Sequence, residues 1–235
     1  LMNNGDQIPV PDYSSLLHSI PKGRNLDKLL RDAHKNVVNQ VVKGKVFAIP
    51  HGKMTILTPT VASHNVIAEK WNGDVLHKTP ADYGKPIKTL LEYDFTEKDE
   101  SKTNISSISF VLEIDGRNDL FLGDSDIDEV CTSLEELGYS NGHPLCCNAV
   151  KLSHHGSKKN FSPRLLELVK ADVFIFSSNG DYYGHPDKEV FAQIIDKTRA
   201  KVYFNYRDRA ERIVCEQDLV EYPDIKKRII DKLNG

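Results

Sequence analysis

Apolar residues recur along this chain first at helical spacing and later in short strand-like runs. Leu26, Leu29, Leu30, Ala33, Val37, Val38 and Val41 follow a period close to 3.6, which predicts a helix over 24–42 that stops at Gly44. Val46 to Ile49 and Met54 to Leu57 read as two strands joined by the turn Pro50-His51-Gly52-Lys53. Thr58-Pro59-Thr60 then opens a second helix that ends near Trp71. Residues 72–104, rich in Gly, Pro, Asp, Lys and Thr, lose the rhythm and read as a mobile insertion.

Beyond Asn104 strands and helices alternate. Strands are expected at Ser106–Ile114, Asp119–Leu122, Asn148–Ser153, Val173–Ser177, Lys201–Phe204 and Arg212–Cys215. Helices are expected at Ile127–Leu137, capped by Ser125 or Asp126, at Pro163–Lys170 behind Ser162, at Asp187–Thr198 and at Pro223–Leu233. Such alternation implies α/β layering. The residues with chemical potential follow directly on strand ends, where α/β enzymes place their sites.

Composition narrows the classes. The 235 residues are 39% hydrophobic and 28% charged, a lean core for a globular chain. With 31 basic and 34 acidic residues the formal charge is -3, so no global positive field draws nucleic acid. None of the four cysteines forms a C-x-x-C pair, and adjacent Cys146 and Cys147 suit neither an unstrained disulfide nor a zinc knuckle. Free thiols, no apolar run of membrane-spanning length and no signal-like opening together imply a cytoplasmic protein with no membrane contact. The chain opens at Leu1 rather than a methionine, from which an internal fragment is expected.

Three segments carry candidate chemistry. In Leu120-Phe121-Leu122-Gly123-Asp124 an apolar strand delivers a carboxylate just past its end. In Lys151-Leu152-Ser153-His154-His155-Gly156-Ser157 two imidazoles sit together at another strand end. Side chains alternate along a strand, so one of the two could bind metal while the other meets substrate. Alternatively, Gly156 bends the chain so that both converge. Tyr183-Gly184-His185-Pro186 follows a third strand and a polar loop.

That order, strand-Gly-Asp, strand-His-His-Gly-Ser, strand-loop-Gly-His-Pro, resembles the metallo-β-lactamase superfamily over about 104–206. Within it, the likeness is to the branch holding the cytoplasmic domain of DNA-uptake competence proteins and some phosphorylcholine esterases. Ile56-Leu57-Thr58-Pro59-Thr60 is similar to a strand-Pro element of that branch. The resemblance implies an αββα sandwich with two zinc or manganese ions at one edge. It implies metal-ligand roles for Asp124 and His155, a substrate-contacting role for His154, and a pocket role for His185. Ser157, Lys158 and Asn160 would contact a phosphate or hold the loop. Imidazole and carboxylate match zinc's ligand preferences, and such ions activate water and stabilise charge on phosphorus.

The superfamily's His-x-His-x-Asp-His signature is absent: His18, His34, His51, His64 and His77 precede Asp124, and none lies two residues from another. The chain is therefore expected to be the C-terminal part, over 1–235, of one sandwich domain with the insertion at 72–104. The missing half would come from the same protein or a separate chain. The expected activity is a metal-dependent phosphodiesterase or nuclease acting on DNA or RNA. A hydrolase of small phosphoesters or other esters, and a non-catalytic interaction module, are the alternatives. Lys158, Lys159, Arg207, Arg209 and Arg212 could form a basic rim.

Overall fold

The computed structural model describes residues 33, 41–66, 82–180 and 183–233. It is an α/β protein built on one eight-stranded mixed sheet flanked by helices. The strands are β1 (Val46–Ile49), β2 (Gly52–Thr58), β3 (Ser109–Ile114), β4 (Arg117–Phe121), β5 (Leu145–Lys151), β6 (Val169–Phe176), β7 (Lys201–Phe204) and β8 (Ile229–Ile230), in that spatial order. From β1 to β4 neighbours are antiparallel; from β4 to β8 they are parallel. The tight turn at 50–51 makes the first pairing antiparallel, whereas the helices between later strands force parallel crossovers. The second sheet of the expected sandwich is not among the described residues.

The described helices are α1 (Val61–Val66), α2 (Ile87–Leu90), α3 (Lys102–Ile105), α4 (Ile127–Glu136), α5 (Arg164–Leu168), α6 (Lys188–Lys197), α7 (Arg207–Arg212), α8 (Glu216–Glu221) and α9 (Ile225–Arg228). Asp126 is the cap of α4: its carboxylate accepts from the Asp128 and Glu129 amides, while Ser125 is buried and bonds elsewhere. Ser162 accepts from the Arg164 amide, and Pro163 already has helical angles.

One register row, Val111–Leu120–Val150–Phe174–Val202, is buried and forms a single core with Ile127, Val130 and Leu134 of α4, Leu165 and Leu168 of α5, and Val190, Phe191, Ile194 and Ile195 of α6. The next row, Phe110–Phe121–Lys151–Ile175–Tyr203–Ile230, points to the opposite face and is only half-buried. Ile56, next in that row on β2, is buried but lies outside the core cluster.

Several expectations change. The helix at 24–42, apart from a few residues, and the end of the helix near Trp71 lie outside the described residues. Of the expected insertion, 72–81 also lies outside them, but 82–104 is packed: Ile87, Leu90 and Phe95 belong to the core cluster. Polar composition concealed three anchors spaced too irregularly to read as an element. The expected strand at Arg212–Cys215 is the end of α7 and a bend before α8. The expected helix at Pro223–Leu233 shortens to α9, because Ile229 and Ile230 pair with the open edge of β7. The β-branched pair suits that edge better than another helical turn. The Arg228 guanidinium locks the switch by donating to the carbonyls of Ile194, Ile195 and Ala200 at the end of α6. All four cysteines are free, with Cys131 and Cys147 buried. Among the described residues no helix is long and apolar enough to cross a membrane.

Candidate functional site

The histidine pair does not ride on a strand. β5 ends at Lys151, and the chain turns at His154 and His155 themselves, at φ/ψ of 41/47° and 60/18°. Both lie in the left-handed region, which costs a non-glycine residue roughly 1–2 kcal/mol. Gly156 continues the turn at φ 89°, and a Cβ there would sit 2.4 Å from the Phe176 ring. Only glycine fits. Two successive strained imidazole residues at a strand end need neighbours that hold them, and strain of this kind clusters at functional sites.

Those neighbours are visible. The His154 amide donates to Gly123 O at 2.9 Å, linking the turn to the end of β4. Gly123 itself has φ 54°, and a Cβ would meet Ile108 O at 2.8 Å. Asp124 therefore follows at a fixed place beside the turn; it is half-buried, and its charge acts on Lys151, His154 and His155. His185 arrives from the loop after β6, with its ring centroid 5.1 Å from that of His154. The His154 and His155 centroids are 6.1 Å apart. Asp124, His154, His155 and His185 thus share one neighbourhood at the ends of adjacent parallel strands.

The two paired rings differ. His154 Nδ1 lies 3.1 Å from Asp99 Oδ2 and 3.1 Å from Asn160 Oδ1. Burial opposes a charge on this ring, but the Asp99 hydrogen bond and the charges of Asp124 and Asp99 outweigh it and push its pKa up. His155 is 3.0 Å from the Ser177 hydroxyl. Burial and the Lys151 ammonium push its pKa down, which favours the neutral, lone-pair form a metal requires.

The residues expected to meet substrate are engaged within the protein. Ser157 is buried, and its hydroxyl accepts from the Lys159 amide. The Lys158 ammonium is 2.6 Å from Glu189 and stacks 4.7 Å over the Tyr93 ring. Asn160 is buried and donates to Asp99 and to the Asp124 carbonyl. Of their two expected roles, holding the loop is the one these contacts serve.

Sequence reasoning overlooked Asp99, Asp187, Asp82 and Glu189. Asp187 precedes α6 as a helix cap would, yet its carboxylate accepts from the Lys158 amide at 2.8 Å and lies 3.3 Å from His185 Nδ1, close enough to pair but off the hydrogen-bond line. Asp82 takes over the capping, accepting from the Lys188 amide at 2.5 Å. The Pro-Asp-Lys pattern after His185 was the one available signal for Asp187; nothing marked the others.

Among the described residues one set of three side chains brings possible ligand atoms within 4.8 Å of one another: Asp82, Asp187 and Glu189. Two of its oxygens, Asp82 Oδ1 and Glu189 Oε2, are buried without a hydrogen-bond partner outside the set. Burial, then the hydrogen bond and charge of Glu189, push Asp82 up to about 7, while the hydrogen bonds of Asp82 and Lys158 outweigh burial and push Glu189 down, the pattern of a proton held on Asp82 between the two carboxyls. Asp124 and His155 offer donor types that suit zinc, but among the described residues they do not belong to such a set of three. No family model matches the chain, and a search of curated proteins finds no match.

Proposed function

We propose that this chain is the C-terminal half of a metallo-β-lactamase-fold hydrolase that cleaves phosphoester bonds, foremost as a phosphodiesterase or nuclease. The observation that carries this reading is the strained His154-His155-Gly156 turn, gathered with Asp124 and His185 at neighbouring strand ends. A His-x-His-x-Asp-His segment from the same protein or a separate chain completes the site, which holds two zinc or manganese ions. The half-buried apolar row from Phe110 to Ile230 supports a second sheet layer contributed by that half, giving the αββα sandwich. Four free cysteines support a reducing, cytoplasmic setting.

When bound, the ions supply an activated water and offset charge on phosphorus. Asp124 and His155 belong among the ligands, with Ser177 steadying the His155 ring. His154 contacts the substrate phosphate, and His185 lines the pocket.

One observation favours a small phosphoester over a nucleic acid. The expected basic rim is largely neutralised: Lys158 pairs with Glu189, Lys159 with Glu97, Arg207 with Glu211 and Arg209 with Asp208. A polyanion needs cations free to replace its counterions.

The test uses protein carrying the completing half, loaded with zinc or manganese. Single- and double-stranded DNA, RNA and a small phosphodiester are offered in parallel. Asp124→Ala and His155→Ala should each lower kcat at least about 100-fold. Undiminished hydrolysis in both variants overturns the reading, and absence of bound metal supports a non-catalytic module instead.

A further inference from the structure

We infer that Asp99, from the stretch between α2 and α3, is a positioning residue for His154: its carboxylate fixes the proton on Nδ1 and leaves Nε2 as the one nitrogen able to meet a ligand. The claim that this matters to catalysis rests on the function proposed above; the claim about the ring does not.

The geometry leaves little freedom. Asp99 Oδ1 accepts from the Ser101 amide at 2.9 Å. Its Oδ2 accepts from Asn104 Nδ2 at 2.7 Å and from Asn160 Nδ2 at 3.1 Å. With its amide nitrogen so engaged, Asn160 must present its oxygen to His154 Nδ1. Nδ1 therefore faces two acceptors, the Asp99 carboxylate and the Asn160 carbonyl, each at 3.1 Å, against one donor, Asn104 Nδ2, which is farther off at 3.4 Å and closer to Asp99 Oδ2 at 2.7 Å. A bare nitrogen facing two oxygens is repelled; an N–H is bound by both. The side chains of His154 and Asp99 are only 18% and 16% exposed, so water competes weakly. Asp99 also helps set Asn160, together with the Asp124 and Ser125 carbonyls, so losing it removes the charged acceptor at Nδ1 and one of the anchors of the other.

Fixing one imidazole nitrogen decides what the other can do. With Nδ1 occupied, Nε2 meets the substrate as a lone pair when the ring is neutral and as a donor when it is protonated. Its direction is set by a residue 55 positions upstream.

The test is long-range ¹H–¹⁵N correlation spectroscopy of the histidine rings in the full chain, with the pH raised until the His154 signals no longer change, so that the neutral ring is the one observed. The His154 signals are assigned by their loss in His154→Gln. Wild type should show the Nδ1–H pattern at His154. Asp99→Ala should lose it in favour of the Nε2–H form that unrestrained imidazole prefers, with the other histidine signals unmoved as the check on folding. An Nε2–H pattern in wild type overturns the inference, as does an unchanged Nδ1–H pattern in Asp99→Ala. In protein carrying the completing half, Asp99→Ala should lower kcat about 10–100-fold with KM little altered. No hydrolysis by wild type alongside an Nδ1–H ring overturns the proposed function and leaves the role of Asp99 standing.

Discussion

Phe174 and Ile175 are neighbours on β6 and lie on opposite faces of the sheet. Phe174 belongs to the row running from Val111 to Val202, sealed beneath α4, α5 and α6. Ile175 belongs to the row from Phe110 to Ile230, where every member is half-buried and the only charge is Lys151. The rows are nearly alike in apolar character yet differ in how completely they are buried. Hydrophobic burial is non-directional, so what separates them is the availability of a covering layer, not residue type.

The largest effect should come from truncating these two residues in turn. Phe174→Ala should cost about 3–5 kcal/mol in urea unfolding, and Ile175→Ala about 1 kcal/mol. Equal costs would mean that Ile175 is already packed as a core residue, and the contrast between the faces would vanish.

A smaller effect concerns charge buried on the helical side. Asp82 is raised from 3.8 to about 7 by burial and by its neighbour Glu189. The folded state therefore binds a proton that the unfolded chain releases, so stability present at low pH is lost as pH rises from about 4 to about 7. Glu189, lowered in its turn, adds the opposite slope only near and below its ordinary value of 4.5. Asp82→Asn keeps an acceptor for the Lys188 amide and cannot ionise. Relative to wild type it should gain about 1–2 kcal/mol between pH 5 and pH 8. Parallel pH–stability curves for the two proteins would remove the shared proton.

The smallest effect lies at the solvent edge of the helical layer. Asp126→Ala should cost about 1 kcal/mol by uncapping α4, with ligand-free packing otherwise intact. A cost near zero would mean that the cap bonds exchange freely with water.

Local pattern was a good guide where one force decided the outcome. The hairpin of β1 and β2, helices α4 and α6, and strand β7 follow from periodicity and turn chemistry within a residue or two. Pattern failed where distant partners decided. Ile229 and Ile230 left a helix for the edge of β7, and 82–104 found core positions for Ile87, Leu90 and Phe95 despite its polar composition. The site divides in the same way. Asp124, His154, His155 and His185 stood out because strand ends carried them. Asp99 could not, since its importance lies in a hydrogen bond across 55 residues of sequence. The left-handed angles of the histidine pair were equally hidden, because Gly156 marked a bend but not where it began.

The buried pair of Lys188 and Asp218, each side chain fully enclosed, ties the stretch that bears Asp99 to the far end of the chain. Asp218 also accepts from the amides of Ile87 and Cys215, and Lys188 donates to the Tyr83 carbonyl. During synthesis the ribosome must deliver residue 218 before the amide of Ile87, 131 positions earlier, finds its acceptor. The support behind His154 is thus coupled to a helix that emerges after it, and a nascent chain truncated before α8 would carry His154, His155 and His185 with this anchor still missing.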